Sequence, residues 1–164
     1  MKRLASLGLM GVLLGGIGVA EQPVPQALHN DFVTVVTELD KASSKRLGLQ
    51  PTQFSTRDGV ISRKEFVATL FDLDKKYSAK YRVTSRPFDT YPDVVAQFNK
   101  GVTVDQLLKL SRWGMIAPVG PIVVNPGDKM SNEEVGDALG YFFSRVAVYS
   151  HQPDPKWTPE LQGF

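Results

Sequence analysis

Two serine-to-glutamate pairs constrain the fold of this chain more than any other feature. Ser62 precedes Glu65 by three residues, Ser131 precedes Glu134 by three, and a periodic apolar run follows each pair. In a capping box, the serine hydroxyl accepts a hydrogen bond from an early helix amide and the glutamate reaches back to the serine N–H. The spacing therefore predicts one helix beginning near residue 62 and another near residue 131.

The apolar residues after each pair recur at the spacing of one face of an α-helix. After the second pair this face comprises Val135, Ala138, Leu139, Phe142, Phe143 and Val146; after the first it comprises Phe66, Val67, Leu70, Phe71, Leu73 and Tyr77. Two more helices are expected, one from Asn30 or Asp31 to about Leu47 and one beginning at Thr103. Asp31 is the expected N-cap of the former, and Gln106 is the expected box partner of Thr103.

The chain repeats one unit. Gly48 and Gly114 each end a helix, a polar loop follows, and Ser62 or Ser131 opens the next helix. The offset is 66 residues at the glycines and 69 at the serines, which is ordinary for a diverged duplication with one loop insertion. We expect an all-α fold in which two helix-loop-helix repeats pack as a small bundle through the faces around Phe66 and Phe142.

Residues 1–20 have the pattern of an export signal. Lys2 and Arg3 precede an uncharged apolar run, and small residues up to Ala20 suit cleavage there. An uncleaved membrane anchor is the alternative, although the run is short and glycine-rich for a helical span. We expect a protein exported to the periplasm or cell envelope. Its expected divisions are a leader (21–29), a first repeat (30–80), a connector with a second repeat (81–150) and a Pro-rich tail (151–164).

Composition excludes several classes of function. Without Lys2 and Arg3 the net charge falls from +2 to zero, which removes the electrostatic case for nucleic-acid binding. The chain has no cysteine, and therefore no disulfide, thiolate zinc site or cysteine nucleophile. His29 and His151 belong to no catalytic motif and are expected in surface segments.

A calcium loop is the main metal-binding alternative. Asp58, Gly59 and Glu65 fall at the fifth, sixth and twelfth positions of an EF-hand loop that would begin at Phe54. Phenylalanine cannot supply the first ligand, which is an important anchor of such a loop. No metal or other cofactor is expected, since the capping box accounts for Glu65.

In their order along the chain, these features resemble the S-layer homology module of bacterial envelope proteins. The family's repeat opens with an aromatic residue and Asp-Val, passes through a helix to a Gly-Ile-like pair, and opens a second helix at Thr-Arg-Ala-Glu. The corresponding segments are Tyr91-Pro92-Asp93-Val94, Gly114-Met115-Ile116 and Ser131-Asn132-Glu133-Glu134, with Ile61-Ser62-Arg63-Lys64-Glu65-Phe66 the closer match in the first repeat. The resemblance spans about residues 31–149 and implies a non-enzymatic protein attached to a peptidoglycan-linked anionic polysaccharide.

The resemblance implies a ligand site comprising Arg63, Glu65 and Asp93. Two departures from the family weaken the match: Val36 and Val102 stand where the family has tryptophan, and asparagine replaces arginine at position 132. Family members commonly carry three modules, whereas this chain has room for two.

Physical chemistry gives Arg63 two alternative roles. Beside the free N–H groups of a helix N-terminus, its guanidinium can receive an anion such as a sugar carboxylate. The alternative is an exposed arginine that pairs locally with Asp58 or Glu65. Attachment to envelope glycan is thus the leading functional hypothesis. A periplasmic protein-interaction module without glycan binding is the second, and a small envelope hydrolase is the third.

Overall fold

The computed structural model describes residues 24–80, 92–125 and 127–150. Within these ranges the chain forms six helices and no strand, which confirms the prediction of an all-α protein. The helices are α1 (His29–Leu47), α2 (Arg63–Ser78), α3 (Pro92–Phe98), α4 (Val102–Arg112), α5 (Pro121–Val124) and α6 (Asn132–Ser150). The predicted export signal, residues 81–91 of the connector, and the Pro-rich tail with His151 lie outside the described residues.

Both predicted serine caps form. The Ser62 hydroxyl accepts from the Glu65 amide at 3.3 Å, and the Ser131 hydroxyl accepts from the Glu134 amide at 3.1 Å. The second box is complete, because Glu134 Oε2 accepts from the Ser131 amide at 2.7 Å. The predicted starts of α2 and α6 are therefore confirmed to within a residue.

The prediction of Asp31 as an N-cap is wrong. Helix α1 begins two residues earlier, and its N-cap is Leu28, whose side chain makes no capping hydrogen bond. A tertiary bond from the His29 amide to the Gly59 carbonyl at 2.9 Å satisfies this helix end instead. At its other end, Gly48 has a φ of 65° and stops the helix in the predicted left-handed conformation.

The second half of the chain differs from the prediction around α4. The predicted Thr103–Gln106 box does not form, because Gly101 is the N-cap and α4 begins at Val102. The short helices α3 and α5 were not predicted. Each begins at a proline, a residue suited to the first helical position because its missing N–H would have no partner there.

Long helices from the two halves pack across each other. Helix α1 packs on α6 and α4 packs on α2, so α6 has α1 as its main partner in addition to the predicted α2. Helix α2 still meets α6 through Tyr77, whose ring centroid lies 6.3 Å from those of Phe142 and Phe143. All three residues belong to one buried hydrophobic core, which holds the helix ends at fixed positions.

A buried carboxylate joins α1 to α2. Asp40 is fully buried and accepts hydrogen bonds from Lys76 at 2.7 Å, from the Thr52 amide at 2.5 Å, and from the Tyr77 hydroxyl. Burial acts to raise the pKa of Asp40, but these donors together lower it below its ordinary value. The network fixes the loop after α1 against the side of α2.

Candidate functional site

Three segments, each leading into a long helix, meet at one place, which we call the junction: residues 25–29, 59–63 and 127–132. Each helix's first amide donates to a carbonyl in the next segment. The three bonds are His29 N to Gly59 O at 2.9 Å, Arg63 N to Asp128 O at 2.6 Å and Asn132 N to Pro25 O at 3.1 Å. This closed cycle brings together the loops that precede Ser62 and Ser131.

The leader is exposed at most of its described positions, but two of its residues pack into the core. Ala27 and His29 are buried, and the Ala27 amide donates to the Met130 carbonyl at 2.8 Å. The expectation that His29 is a surface histidine is therefore wrong. Neighbouring residues such as Val24 are exposed, and nothing in the sequence of this segment indicates that part of it packs into the core.

Arg63 is interior rather than exposed, which corrects the expected local pairing with Asp58 or Glu65. Its residue exposure is 3 %, and Nη2 donates to Glu134 Oε1 at 2.9 Å. The remaining bonds go to carbonyl oxygens of Gly127, Ile122 and Pro121, at 2.9, 3.0 and 3.4 Å. A guanidinium has five N–H donors, so protein groups already occupy most of its capacity.

Glu134 is the anion that compensates Arg63. Burial acts to raise its pKa, but the Ser131 amide, Arg63 and Asn125 lower that pKa by more. The carboxylate therefore stays ionised at neutral pH and holds the guanidinium in place. The two residues are 71 positions apart in sequence, so this pair joins the start of α2 to the start of α6.

Glu65 lies on a different side of the junction. Its Oε1 accepts from His29 Nε2 at 2.9 Å, and its Oε2 accepts from Arg57. Burial acts to raise the pKa of Glu65, and Arg57 and His29 together lower it further than burial raises it. The carboxylate is thus directed away from Ser62, so the first capping box is only half formed.

Asp93 is exposed in the first turn of α3. No described contact joins it to Arg63 or Glu65, so the structure does not bring the three predicted site residues together. The opening motif of which Asp93 is part begins in residues 87–91, outside the described residues.

An open cleft of about 400 Å3, which we call the basic cleft, lies beside the junction. The predicted site contributes only Arg63 to its wall. The other lining residues are Lys64, Phe98, Asn99, Lys100, Thr103, Gly127 and Asp128. Sequence reasoning missed most of them, although Lys64 adjoins the predicted residue Arg63 and Lys100 precedes Gly101, the N-cap of α4.

The two lysines at the mouth of the basic cleft are not paired with acidic groups of the described residues. Lys64 and Lys100 are exposed, and neither forms an ion pair with any part of the chain that the structure describes. Among the described lining residues Asp128 is the only acid, and Arg63 is already paired with Glu134. The cleft therefore has a net positive charge at its mouth and favours an anion.

Asn99 forms part of the inner wall of this cleft. It is 6 % exposed, and its Nδ2 donates to the carbonyls of Val95 and Val123 at 3.2 and 2.8 Å. These two bonds fix the amide orientation, and they leave Oδ1 buried without a hydrogen-bond partner. Asn99 thus has an unused buried acceptor, which a hydroxyl or amide donor in the cleft would reach only if the wall opened.

Other potential sites are less well formed. A second cleft of about 350 Å3 lies beside Lys76, whose ammonium is held by Asp40 and Thr52. Among the described residues, no group of three or more histidine and acidic side chains is arranged to hold a metal ion. The Glu65 carboxylate would be the twelfth-position ligand of a calcium loop, but it instead accepts hydrogen bonds from His29 and Arg57.

No protein-family model matches this chain, and no curated protein or solved structure is similar to it. Within the ranges described, none of the helices combines the length and apolar character needed to cross a bilayer.

Proposed function

We propose that this chain is an exported, non-enzymatic module of the bacterial envelope, made of two helix-loop-helix repeats similar to the S-layer homology family. Its function is attachment to an anionic polysaccharide linked to peptidoglycan. The basic cleft is the attachment site. Because that cleft is open to solvent, it suits an extended polymer better than a small substrate that must be shielded from water.

The observation that carries this proposal is the meeting of the two capping-box loops at one cationic cleft. Lys64 follows the first loop, and Gly127 and Asp128 belong to the second. In a repeat protein, a groove between units is where a ligand contacts both copies. The cross-packing of α1 on α6 and of α4 on α2 supports the two-repeat interpretation.

Retention on purified cell-wall sacculi tests the proposal. We expect the full-length chain to bind sacculi that carry the secondary polymer, to bind less to sacculi stripped of it, and to be released by high salt, because exposed charges are screened. Absence of retention on both preparations would refute attachment to cell-wall glycan.

The second candidate is a periplasmic protein-interaction module without glycan binding. One observation favours it: the arginine that the family resemblance assigns to the ligand is paired with Glu134 inside the protein. Capture of an envelope protein, together with absence of retention on both sacculus preparations, would favour this candidate.

A further inference from the structure

The cationic side chains of the basic cleft have two different roles. We propose that Lys64 and Lys100 hold the anionic group of the ligand, and that Arg63 is a positioning residue that fixes the cleft wall. This inference rests on the proposed function, because it assigns the residues that would bind the polysaccharide. It differs from the sequence expectation, in which Arg63 was the anion receptor.

Burial separates Arg63 from the lysines. Its guanidinium makes hydrogen bonds to Glu134 and to carbonyls of residues 121, 122 and 127. A ligand anion competing for it would have to displace a buried carboxylate that is already well oriented. Lys64 and Lys100 require no such displacement, because they are exposed and form no ion pair with the described residues.

The position of Lys64 is unfavourable for stability alone. It is the second residue of α2, where the positive end of the helix dipole disfavours a cation. A bound anion would relieve this repulsion and interact with both the ammonium group and the helix end. No described protein group offsets this repulsion at Lys64, whereas a bound anion would.

Lys100 lies beside a second helix end. Helix α4 follows it, with Gly101 as an N-cap that has no side chain to accept from the first-turn amides. Thr103, in that first turn, also lines the basic cleft. An anion between Lys64 and Lys100 would therefore face the N-termini of α2 and α4 together.

Asn99 adds a second requirement for the ligand. Asn99 lines the cleft, and its buried Oδ1 is an acceptor with no hydrogen-bond partner among the described residues, so it does not favour a bare anion. A sugar acid has a carboxylate for the lysines and hydroxyl groups that can donate to this oxygen after a small opening of the wall. We therefore infer that the ligand unit is an anionic sugar rather than an isolated phosphate or sulfate.

Titration of the 15N-labelled full-length chain with methyl glucuronide tests this assignment. We expect the amide signals of Lys64, Lys100, Thr103 and Gly127 to shift together. Neutral methyl glucoside should bind more weakly, because it has hydroxyls without the charge. Inorganic sulfate should also bind more weakly, because it has charge without donors. Equal binding of all three probes, or no shift at these amides, would refute the inference.

Charge-neutralising variants measure the contribution of each lysine to glucuronide binding. Lys64→Gln and Lys100→Gln should each weaken glucuronide binding about fivefold, as expected for loss of a partly exposed charged contact, and the double variant should weaken it further. Lys129→Gln is the matched control: it removes the same charge from an exposed lysine of the neighbouring loop that does not line the cleft. Its dissociation constant should stay within about twofold of the wild-type value.

These experiments distinguish failure of the lysine assignment from failure of the proposed function. If the wild-type chain is retained on sacculi and the double variant is retained equally, the proposed function stands and the assignment to Lys64 and Lys100 is wrong. If the wild-type chain is not retained, attachment to cell-wall glycan is wrong whatever the lysine variants show. An equal loss of glucuronide binding in Lys129→Gln would indicate a general charge effect and would also overturn the assignment.

Discussion

Replacement of Arg63 by alanine tests the structural role that the junction assigns to this residue. The change removes four hydrogen bonds from a residue that is 3 % exposed and leaves Glu134 buried without its cation. Breaking a buried ion pair by removing one partner costs about 3–5 kcal/mol. A domain of this size is stable by only about 5–15 kcal/mol, so the variant should be marginally folded.

Arg57→Ala is the matched control. Arg57 also pairs with a glutamate, Glu65, but its side chain is 49 % exposed and that of Glu65 is 34 % exposed. Exposed ion pairs contribute about 0–1 kcal/mol to the free energy of unfolding, because water screens the charges and solvates the side chains when the pair is broken. The two arginine variants thus compare the same type of pair in a buried and an exposed setting.

Urea unfolding followed by circular dichroism measures the difference. The Arg63→Ala midpoint should fall by an amount equivalent to several kcal/mol, whereas that of Arg57→Ala should change little. Adding Glu134→Gln to Arg63→Ala should recover part of the loss, because glutamine can still serve the capping box without a buried charge. Similar losses in the two single variants would refute the assignment of Arg63 as a structural residue.

Asp74 and the Ser131 cap give two more tests of the fold. Burial raises the pKa of Asp74 from 3.8 to about 6, so the folded chain binds the proton more tightly and stability should decline by about 3 kcal/mol as pH rises through this window. Asp74→Asn should abolish that decline in denaturation curves recorded across the window, and an unchanged pH profile would exclude Asp74 as its source. Ser131→Ala should cost about 1 kcal/mol and lower the melting temperature more than Ser62→Ala, because the Ser131 box is complete; equal losses would contradict this.

The long helices were predictable because their information is local. Capping serines and apolar residues at helical spacing located α2 and α6, and Gly48 located the end of α1. The start of α1 was not predictable, since its first amide bonds to Gly59, thirty residues away in sequence. The short helices α3 and α5 contain too few residues to show an apolar period.

The site was less predictable than the fold, because its contacts are distant in sequence. Arg63 has acidic neighbours on both sides, and local reasoning therefore paired it with Asp58 or Glu65. Its actual partner, Glu134, was assigned only to the cap of its own helix. A single carboxylate performs both functions, since one oxygen bonds Ser131 and the other bonds Arg63.

The same geometry explains why the residues matched by the motif are engaged inside the protein. At two edges of the junction, the first residue of one helix pairs with the third residue of the next: His29 with Glu65 at 2.9 Å, and Arg63 with Glu134 at 2.9 Å. The basic and acidic positions of the motif therefore connect the helix starts to each other. The Arg63 guanidinium is buried and paired with Glu134, so few of its N–H donors remain for a ligand. Lys64, one residue further along the helix, forms no such pair with the described residues and lines the basic cleft, which is why we propose it rather than Arg63 as the residue that receives an anion.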